Sequence, residues 1–263
     1  NGEAGIQDWF STLSAKYLDW EIYLSDKITD SEYVGNSDVS TILHNREYHC
    51  ISDLHFGVSL RSFRSEKLAL FVKCLLDEEI ELAKETYEEL KKSYPDLITR
   101  KFDVAKNWVK KKARGTERYG LLASSEGKRL RAEGIWVPSE INHVGWFLNE
   151  KDNVDSSYYL EVAASEFKVQ GLEIDYAVLA WDADLRYTSN GFDYFKFRGT
   201  KWNHVNQEQR QHYLKNAYRV LMTRARQGLI IYIPEGDEED PSRLMEYYEG
   251  TYQYLKHVGI KEI

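Results

Sequence analysis

Short apolar strands separated by helical patterns are the feature that most constrains the fold of this chain. Three apolar runs have the length of buried strands, at residues 120–124, 174–181 and 229–233. The segments between them include helical patterns at residues 102–112 and 207–226. Strands that alternate with helices predict a mostly parallel sheet with helices on both faces. We therefore expect an α/β fold.

The other expected elements extend this pattern and suggest a domain boundary. We expect one helix over residues 65–90, a strand over residues 158–163 and an extended hairpin arm at residues 191–201. Residues 48–263 are then predicted to form a single α/β domain. Residues 1–47 are predicted to be a remnant of, or a linker from, a preceding lobe.

Composition limits the class of protein. Of the 263 residues, 42% are hydrophobic and 14% aromatic, which is enough to bury a core. The longest apolar runs are far shorter than the ~20 residues that a membrane-spanning helix needs, so we expect no membrane association. The two cysteines, Cys50 and Cys74, argue against a disulfide framework and favour a reducing compartment. A cytoplasmic protein is the expectation.

Two basic segments stand out in an otherwise acidic chain. The net charge of −8 argues against a general polyanion binder, because phosphate contacts need local positive charge. Residues 101–118 and 128–131 are nevertheless rich in Lys and Arg, and each segment is either a solvated surface or a contact to nucleic acid. The candidate nucleic-acid-binding residues are Lys110, Lys111, Lys112, Lys128 and Arg129.

One candidate functional segment, residues 165–176, leads directly into a buried strand. Gly171 is expected to allow a close approach of the backbone beside that strand. Glu173 offers a carboxylate that could accept a hydrogen bond from a ribose hydroxyl, and Gln170 precedes both residues. Taken alone, the segment is more typical of a β-turn with surface charges.

A second candidate segment, residues 216–226, ends a helix just before another buried strand. Arg224 follows Thr223 at the end of this helix and could present a rigid guanidinium to a phosphate oxygen. Taken alone, cations at a helix C-terminus are also explained by the helix dipole.

Together, the two segments resemble motifs V and VI of superfamily 1 helicases and related ATPases. The wider match is to a helicase-like branch, a bacterial family of formerly unknown function related to the helicase domain of long-form Schlafen proteins. Residues 1–10, 59–72 and 120–130 are similar to segments that lie after motif III, at motif IV and at the following strand of that family. The resemblance implies a RecA-like fold of the P-loop NTPase type.

The resemblance also implies roles for individual residues. Arg224 would be the catalytic arginine finger, which stabilises charge on the γ-phosphate during transfer. We expect its guanidinium near the carboxyl ends of the central strands and beside Glu173. The motif IV arginine would be Arg61, with Arg64 as the alternative. The nucleotide-binding residues implied by the resemblance are Arg61, Gln170, Gly171, Glu173 and Thr223.

A phosphate-binding P-loop is missing from the sequence. The pattern G-x-x-x-x-G-K-[ST] has no match, since residues 125–129 lack the upstream Gly and the hydroxyl after Lys128. The resemblance therefore implies the second lobe of a two-lobed motor, whose first lobe would carry the Walker A and B motifs. ATP and Mg²⁺ are expected in the full-length protein, with DNA or RNA as partner. Because the sequence opens with Asn1 and not Met, we expect a piece of a longer protein, inactive and without bound cofactor on its own.

Two other functions remain open. One is a RecA-like module that binds nucleic acid or protein without turnover. The other is a metallophosphoesterase, because residues 51–57 and 236–240 resemble the D-x-H and G-D-x-x-D motifs of calcineurin-like enzymes. Asp53 and His55 would then be metal ligands, but the further ligand motifs of a two-metal site are missing. We therefore predict no metal site.

Two acidic residues, Asp182 and Asp184, follow the strand predicted at residues 174–181. The carboxyl ends of strands are where open α/β sheets place functional residues. The prediction for both side chains is nevertheless that of solvated loop acids.

Overall fold

Two compact units make up the chain, residues 1–60 and 61–263. The structure, a computed structural model, describes residues 6–26, 28, 39–43, 46–54 and 63–263. The boundary predicted between residues 47 and 48 falls inside the first unit and stays a prediction. Among the described residues, no helix combines the length and the apolar character needed to cross a bilayer.

The first unit contains short elements around a small core. Its helices and strands are α1 (Ile6–Lys16), β1 (Tyr23–Leu24), α2 (Val39–Ile42) and β2 (His49–Cys50). The two strands pair in parallel, with Tyr23 opposite His49. The buried residues of this core are Phe10, Ile22, Ile28, Val39 and Leu43.

A five-stranded sheet forms the centre of the second unit. Its strands are β3 (Asp96–Thr99), β4 (Tyr119–Ala123), β5 (Ile174–Ala180), β9 (Ala225–Tyr232) and β10 (Lys261–Glu262). The strand order is β10-β3-β9-β5-β4, and every pairing is parallel. The three strands predicted from apolar runs are confirmed as β4, β5 and β9.

Three further strands form an antiparallel arm between β5 and β9. These are β6 (Leu185–Thr188), β7 (Gly191–Arg198) and β8 (Lys201–His204), with β7 in the middle. The arm confirms the extended hairpin predicted at residues 191–201.

Helices cover both faces of the central sheet. They are α3 (Phe63–Leu76), α4 (Ile80–Leu90), α5 (Phe102–Lys112), α6 (His143–Leu148), α7 (Glu208–Met222) and α8 (Glu246–Val258). Successive strand residues point to opposite faces, so Leu179 joins the core that contains residues of α3, α4, α7 and α8, whereas Val178 joins the core that contains residues of α5. The predicted α/β fold, with a parallel sheet between helical layers, is confirmed and is consistent with a RecA-like fold.

The single helix predicted over residues 65–90 is wrong. The chain turns between α3 and α4, where Glu78 adopts a left-handed conformation with φ of 64°. The Glu78 carboxylate accepts a hydrogen bond of 3.1 Å from Phe192 N at the start of β7. A tertiary contact therefore accompanies a break that the continuous helical pattern did not show.

The strand predicted over residues 158–163 is also wrong. A 3₁₀ helix spans Ser157–Tyr159, and Leu160 at its end has a positive φ of 58°. Only single bridges follow, which pair Val162 with Trp136 and Ala164 with Leu122. Apolar composition alone did not distinguish this short packed segment from a strand.

Candidate functional site at the amino edge of the sheet

The parallel strands β4, β5 and β9 all begin at one edge of the sheet and all end at the opposite one. We call these the amino edge and the carboxyl edge. Tyr119 pairs with Tyr176, and Tyr176 with Gly228, so the segments leading into the three strands converge at the amino edge. Both candidate functional segments predicted from the sequence reach this edge.

The turn before β5 carries the first of these segments. Gln170, Gly171 and Glu173 are all exposed. Gly171 has φ of 81°, and a Cβ added there would meet no atom within 4 Å. The expected close backbone approach is therefore wrong, and the glycine instead allows a left-handed turn that L side chains disfavour.

Arg224 lies between the end of α7 and the start of β9. Ile174 N donates a hydrogen bond of 3.1 Å to Arg224 O, which brings Arg224 next to the residue that follows Glu173. The expected position near the carboxyl ends of the strands is wrong. Because β5 and β9 are parallel neighbours, the residues that precede them must share the amino edge.

The Arg224 side chain is turned towards its own helix. The residue is only 8% exposed. Its Nε donates to Val220 O at 3.1 Å, and its Nη2 donates to Thr223 Oγ1 at 3.3 Å. The Thr223 hydroxyl lies within hydrogen-bonding distance of Arg219 O, at 3.0 Å. Both side chains thus interact with the last turn of α7, in the way that helix C-termini are commonly satisfied.

The motif IV arginine lies outside the described part of the chain. Arg61 is not among the described residues, and of Arg64 only the helical backbone is described. The roles predicted for both arginines stay predictions.

A buried carboxylate at the amino edge was not predicted from the sequence. Asp175, the second residue of β5, is 7% exposed. Its Oδ2 accepts from Arg118 N at 2.8 Å, and its Oδ1 accepts from Arg226 Nη2 at 2.8 Å and from Gln227 Nε2 at 3.0 Å. The available signal was an acid inside an otherwise apolar strand, because a buried charge requires partners.

The first basic segment also reaches the amino edge. Lys110, Lys111 and Lys112 are exposed in the last turn of α5. The Lys112 ammonium lies 6.0 Å from the centre of the Trp108 ring, and this ring lies 5.9 Å from that of Tyr176 near the start of β5. These lysines are therefore on the same side of the sheet as Glu173 and Arg224.

The second basic segment lies at the carboxyl edge. Lys128 and Arg129 follow the end of β4, a five-residue strand that spans about 15 Å. Lys128 is exposed, but Arg129 forms an ion pair with Asp240 at 2.8 Å and its guanidinium carbon lies 5.2 Å from the centre of the Phe197 ring. The structure thus does not bring the two basic segments together into one patch.

The acids that follow β5 at the carboxyl edge are buried and not solvated. Asp182 and Asp184 are 1% and 0% exposed, so the prediction of solvated loop acids is wrong. Asp182 accepts hydrogen bonds from Ala183 N at 2.7 Å, Arg129 N at 2.8 Å and Tyr248 OH at 3.2 Å. Asp184 accepts one of 2.6 Å from Tyr218 OH.

Burial changes the proton affinity of these acids. It raises the pKa of Asp182, and together with the nearby Asp182 charge it raises the pKa of Asp184 to about 8. The Asp184 side chain is therefore mostly a neutral carboxylic acid at pH 7.

The loop after β4 has the position of a phosphate loop but not its free amides. Ser125 N and Oγ donate to the Glu166 carboxylate at 2.9 and 2.6 Å. Arg129 N is taken by Asp182. The chain's own carboxylates therefore occupy two backbone N–H groups of this loop that could otherwise receive a phosphate.

The acidic residues 236–240 have structural partners. Asp237 and Asp240 both pair with Arg243, at 3.1 and 3.2 Å. Hydrogen bonds from Ser242 are the main cause that lowers the pKa of Asp240. Asp53 is exposed, and His55 lies outside the described residues. Among those that are described, no three metal-binding side chains cluster, and Cys50 and Cys74 are free thiols.

The fold is a parallel α/β sheet in which the two segments that resemble motifs V and VI lie side by side. The chain belongs to the family described as Schlafen group 3, DNA/RNA helicase domain, whose family model matches residues 22–235. No curated protein and no solved structure matches the chain.

Proposed function

We propose that this chain is the second motor lobe of a nucleic-acid-dependent, helicase-like ATPase of superfamily 1. A first lobe in the full-length protein would carry the Walker A and B motifs, which hold ATP and Mg²⁺. Family membership supports the helicase-like class. Because this sequence has no P-loop, the lobe alone would not hydrolyse ATP. We further propose that the protein is cytoplasmic and belongs to the bacterial branch whose segments it resembles.

One hydrogen bond carries this proposal. Ile174 N donates to Arg224 O, so the segments that resemble motifs V and VI meet at one edge although Ile174 and Arg224 are fifty positions apart in the sequence. In the proposed site, Arg224 would leave its helix to contact the γ-phosphate when the first lobe closes. Glu173 would accept a hydrogen bond from the nucleotide sugar. Gln170 would couple the nucleotide to nucleic acid, and Arg61 would contact the nucleotide.

The end of α7 would determine where the Arg224 guanidinium lies between cycles. Thr223 holds the last turn of α7 through its hydroxyl and also accepts from Arg224, so it would return the guanidinium to the same resting position after each cycle. Gly171 would provide the left-handed turn that presents Gln170 and Glu173 together.

Replacement of Arg224 tests the motor proposal. In the full-length protein, Arg224→Ala should lower nucleic-acid-stimulated ATP turnover by about 10³- to 10⁵-fold, because an arginine finger stabilises charge that develops only in the transition state. The measurement is steady-state phosphate release at saturating ATP. Arg210→Ala, which removes an exposed arginine from the first turn of the same helix, should leave turnover unchanged. Equal rates for Arg224→Ala and wild type would contradict the assigned role.

A second candidate function is a RecA-like module that binds nucleic acid or protein without turnover. The observation that favours it is the low exposure of Arg224, whose guanidinium interacts with its own helix. This candidate predicts that the wild-type full-length protein binds its partner but releases no phosphate above background. Nucleic-acid-stimulated turnover would exclude it.

The nucleic-acid contact that we propose lies at the amino edge. Lys110, Lys111 and Lys112 are exposed there and would pair with backbone phosphates of DNA or RNA. Lys128 and Arg129 remain a separate prediction at the carboxyl edge, and the ion pair of Arg129 with Asp240 makes it the weaker part of that prediction.

A further inference from the structure

Two arginines at the amino edge, two positions apart in the sequence, differ in their exposure to solvent. Arg224 is 8% exposed and donates to the last turn of its own helix. Arg226, the second residue of β9, has a side chain that is 57% exposed. Of these two arginines, Arg226 is therefore the one that presents its guanidinium to solvent.

Arg226 donates a hydrogen bond to a buried carboxylate, that of Asp175. Its Nη2 donates to Asp175 Oδ1 at 2.8 Å, and the Asp175 side chain is only 10% exposed. Asp175 is itself fixed by the backbone of Arg118 and by the side chain of Gln227. Gln227 is in turn fixed by Glu117, whose Oε1 accepts from its Nε2 at 2.9 Å. Several contacts thus orient one edge of an exposed guanidinium.

This arrangement suits a phosphate ligand. A guanidinium carries five N–H donors in a planar fork that matches two phosphate oxygens. Among the described residues, the Arg226 side chain donates a hydrogen bond to Asp175 through one of its nitrogens. Anchoring by a carboxylate reduces the side-chain entropy that an exposed arginine loses when it binds.

We propose that Arg226 binds a phosphate group and that Asp175 is the positioning residue that orients it. The phosphate belongs either to the backbone of a single-stranded nucleic acid or to a nucleoside triphosphate. This inference rests on the proposed function, because both are ligands of a helicase lobe. Exposed cations at the end of α5 add positive potential at the same edge. They are Lys110, Lys111, Lys112 and Arg114.

The first experiment measures binding by the 263-residue chain. Fluorescence anisotropy of a labelled single-stranded oligonucleotide and fluorescence of trinitrophenyl-ATP are recorded separately. Arg226→Ala should weaken binding of at least one probe by about five- to tenfold, and Arg226→Lys should restore only part of it, since the fork is lost. Arg198→Ala, an exposed arginine at the end of β7, is the matched control and should change affinity less than twofold.

The affected probe identifies the source of the phosphate. For the oligonucleotide, loss of one phosphate contact should also reduce the slope of log K against log salt by about 0.7. Loss with trinitrophenyl-ATP alone would assign the phosphate to a nucleotide. Equal affinities of Arg226→Ala and Arg198→Ala for both probes would overturn this inference and leave the proposed function standing. Failure of wild type to bind either probe would overturn the inference together with the proposed nucleic-acid contact.

The second experiment asks whether Asp175→Asn strengthens or weakens the binding of the phosphate ligand. Asp175→Asn removes a negative charge, so electrostatics alone would tighten the binding of a polyanion. Positioning predicts the opposite, a loss of about threefold or more, because the amide holds Arg226 less firmly. Circular dichroism establishes that the variant is folded. Tighter binding by a folded Asp175→Asn variant would overturn the positioning role, and should this variant not fold, the Arg226 substitutions still decide the proposal.

Discussion

The two edges of the central sheet are built from the same kinds of residue but use them differently. At the carboxyl edge, carboxylates turn inward: Asp182 and Asp184 are buried and bonded to backbone N–H and tyrosine hydroxyl groups. At the amino edge, one buried carboxylate, Asp175, holds an exposed arginine. An α/β sheet commonly places its ligand at the carboxyl ends of strands.

This difference shows how a ligand site is best located in this fold. Whether polar groups already have partners within the chain is stronger evidence for a site than the edge of the sheet at which they lie. The carboxyl edge has acids and a loop after β4, yet Glu166 and Asp182 already occupy backbone amides of that loop. The amino edge has the exposed cations of the first basic segment and carries the segments that resemble motifs V and VI. The carboxyl edge is therefore a structural cluster, and the amino edge is the candidate site.

The largest effect expected from this comparison is on stability. Asp182→Ala leaves three donors without their acceptor in a buried place, so it should lower the free energy of unfolding by about 3 kcal/mol. Urea unfolding monitored by circular dichroism measures this. Lys111→Ala at the amino edge is the control and should stay within about 0.5 kcal/mol of wild type. Similar unfolding free energies for the two variants would contradict the conclusion that the carboxyl edge is a structural cluster.

The next effect concerns pH. The folded pKa of Asp184, about 8, lies above the unfolded value of about 3.9, so the folded state binds the proton more tightly. The stabilisation is fully present below the unfolded pKa and is lost as pH rises towards 8. Between pH 6 and 8 the wild type should lose about 2 kcal/mol of unfolding free energy through this group.

Asp184→Asn should flatten this dependence, as measured by urea unfolding at several pH values. Some slope should remain, because burial raises the pKa of Asp96 in the same direction. Asp240→Asn is the control. Hydrogen bonds lower the pKa of Asp240, so this variant should leave the slope between pH 6 and 8 unchanged. A wild-type slope in Asp184→Asn would show that the carboxylic acid is not the titrating group.

The smallest effect separates the two basic segments. Lys111→Ala should weaken binding of a single-stranded oligonucleotide about two- to threefold and lower the salt slope by about 0.7, as expected for one lost phosphate contact. Lys128→Ala, at the carboxyl edge, removes the same charge from an exposed position and should lower both the affinity and the salt slope by less. Anisotropy titrations at three salt concentrations compare them. A larger loss in Lys128→Ala would move the nucleic-acid contact to the other edge.

Much of the architecture could be predicted from the sequence. The helix predicted at residues 102–112 has the same bounds as α5, and three apolar runs are the strands β4, β5 and β9. Strand β3 was missed because it is short and begins with Asp96, which local patterns place in a turn and not in a buried strand. The predicted strand at residues 158–163 was wrong because an apolar segment packs equally well as a 3₁₀ turn.

The candidate site was predictable only in part. Motif resemblance predicted Glu173 and Arg224 as site residues, and the edge of the sheet predicted for Arg224 was wrong. The order of elements would have given the correct edge. Glu173 and Arg224 each precede a strand, and neighbouring parallel strands begin at the same edge of the sheet. No local pattern pointed to the pair of Asp175 and Arg226, because its two members are separated by fifty residues of chain.

The amino-acid sequence was enough to predict three of the central strands, the helix α5, the parallel sheet and the segments that resemble helicase motifs. These properties depend on the spacing of apolar residues and on short motifs, both of which involve residues that are close together in the sequence. The burial of Asp182 and Asp184, the contact of Arg224 with its own helix and the exposure of Arg226 became visible only in the folded chain. The physical reason is that the environment of a polar group is set by residues distant in sequence, which pack against it only once the sheet and its helices have formed.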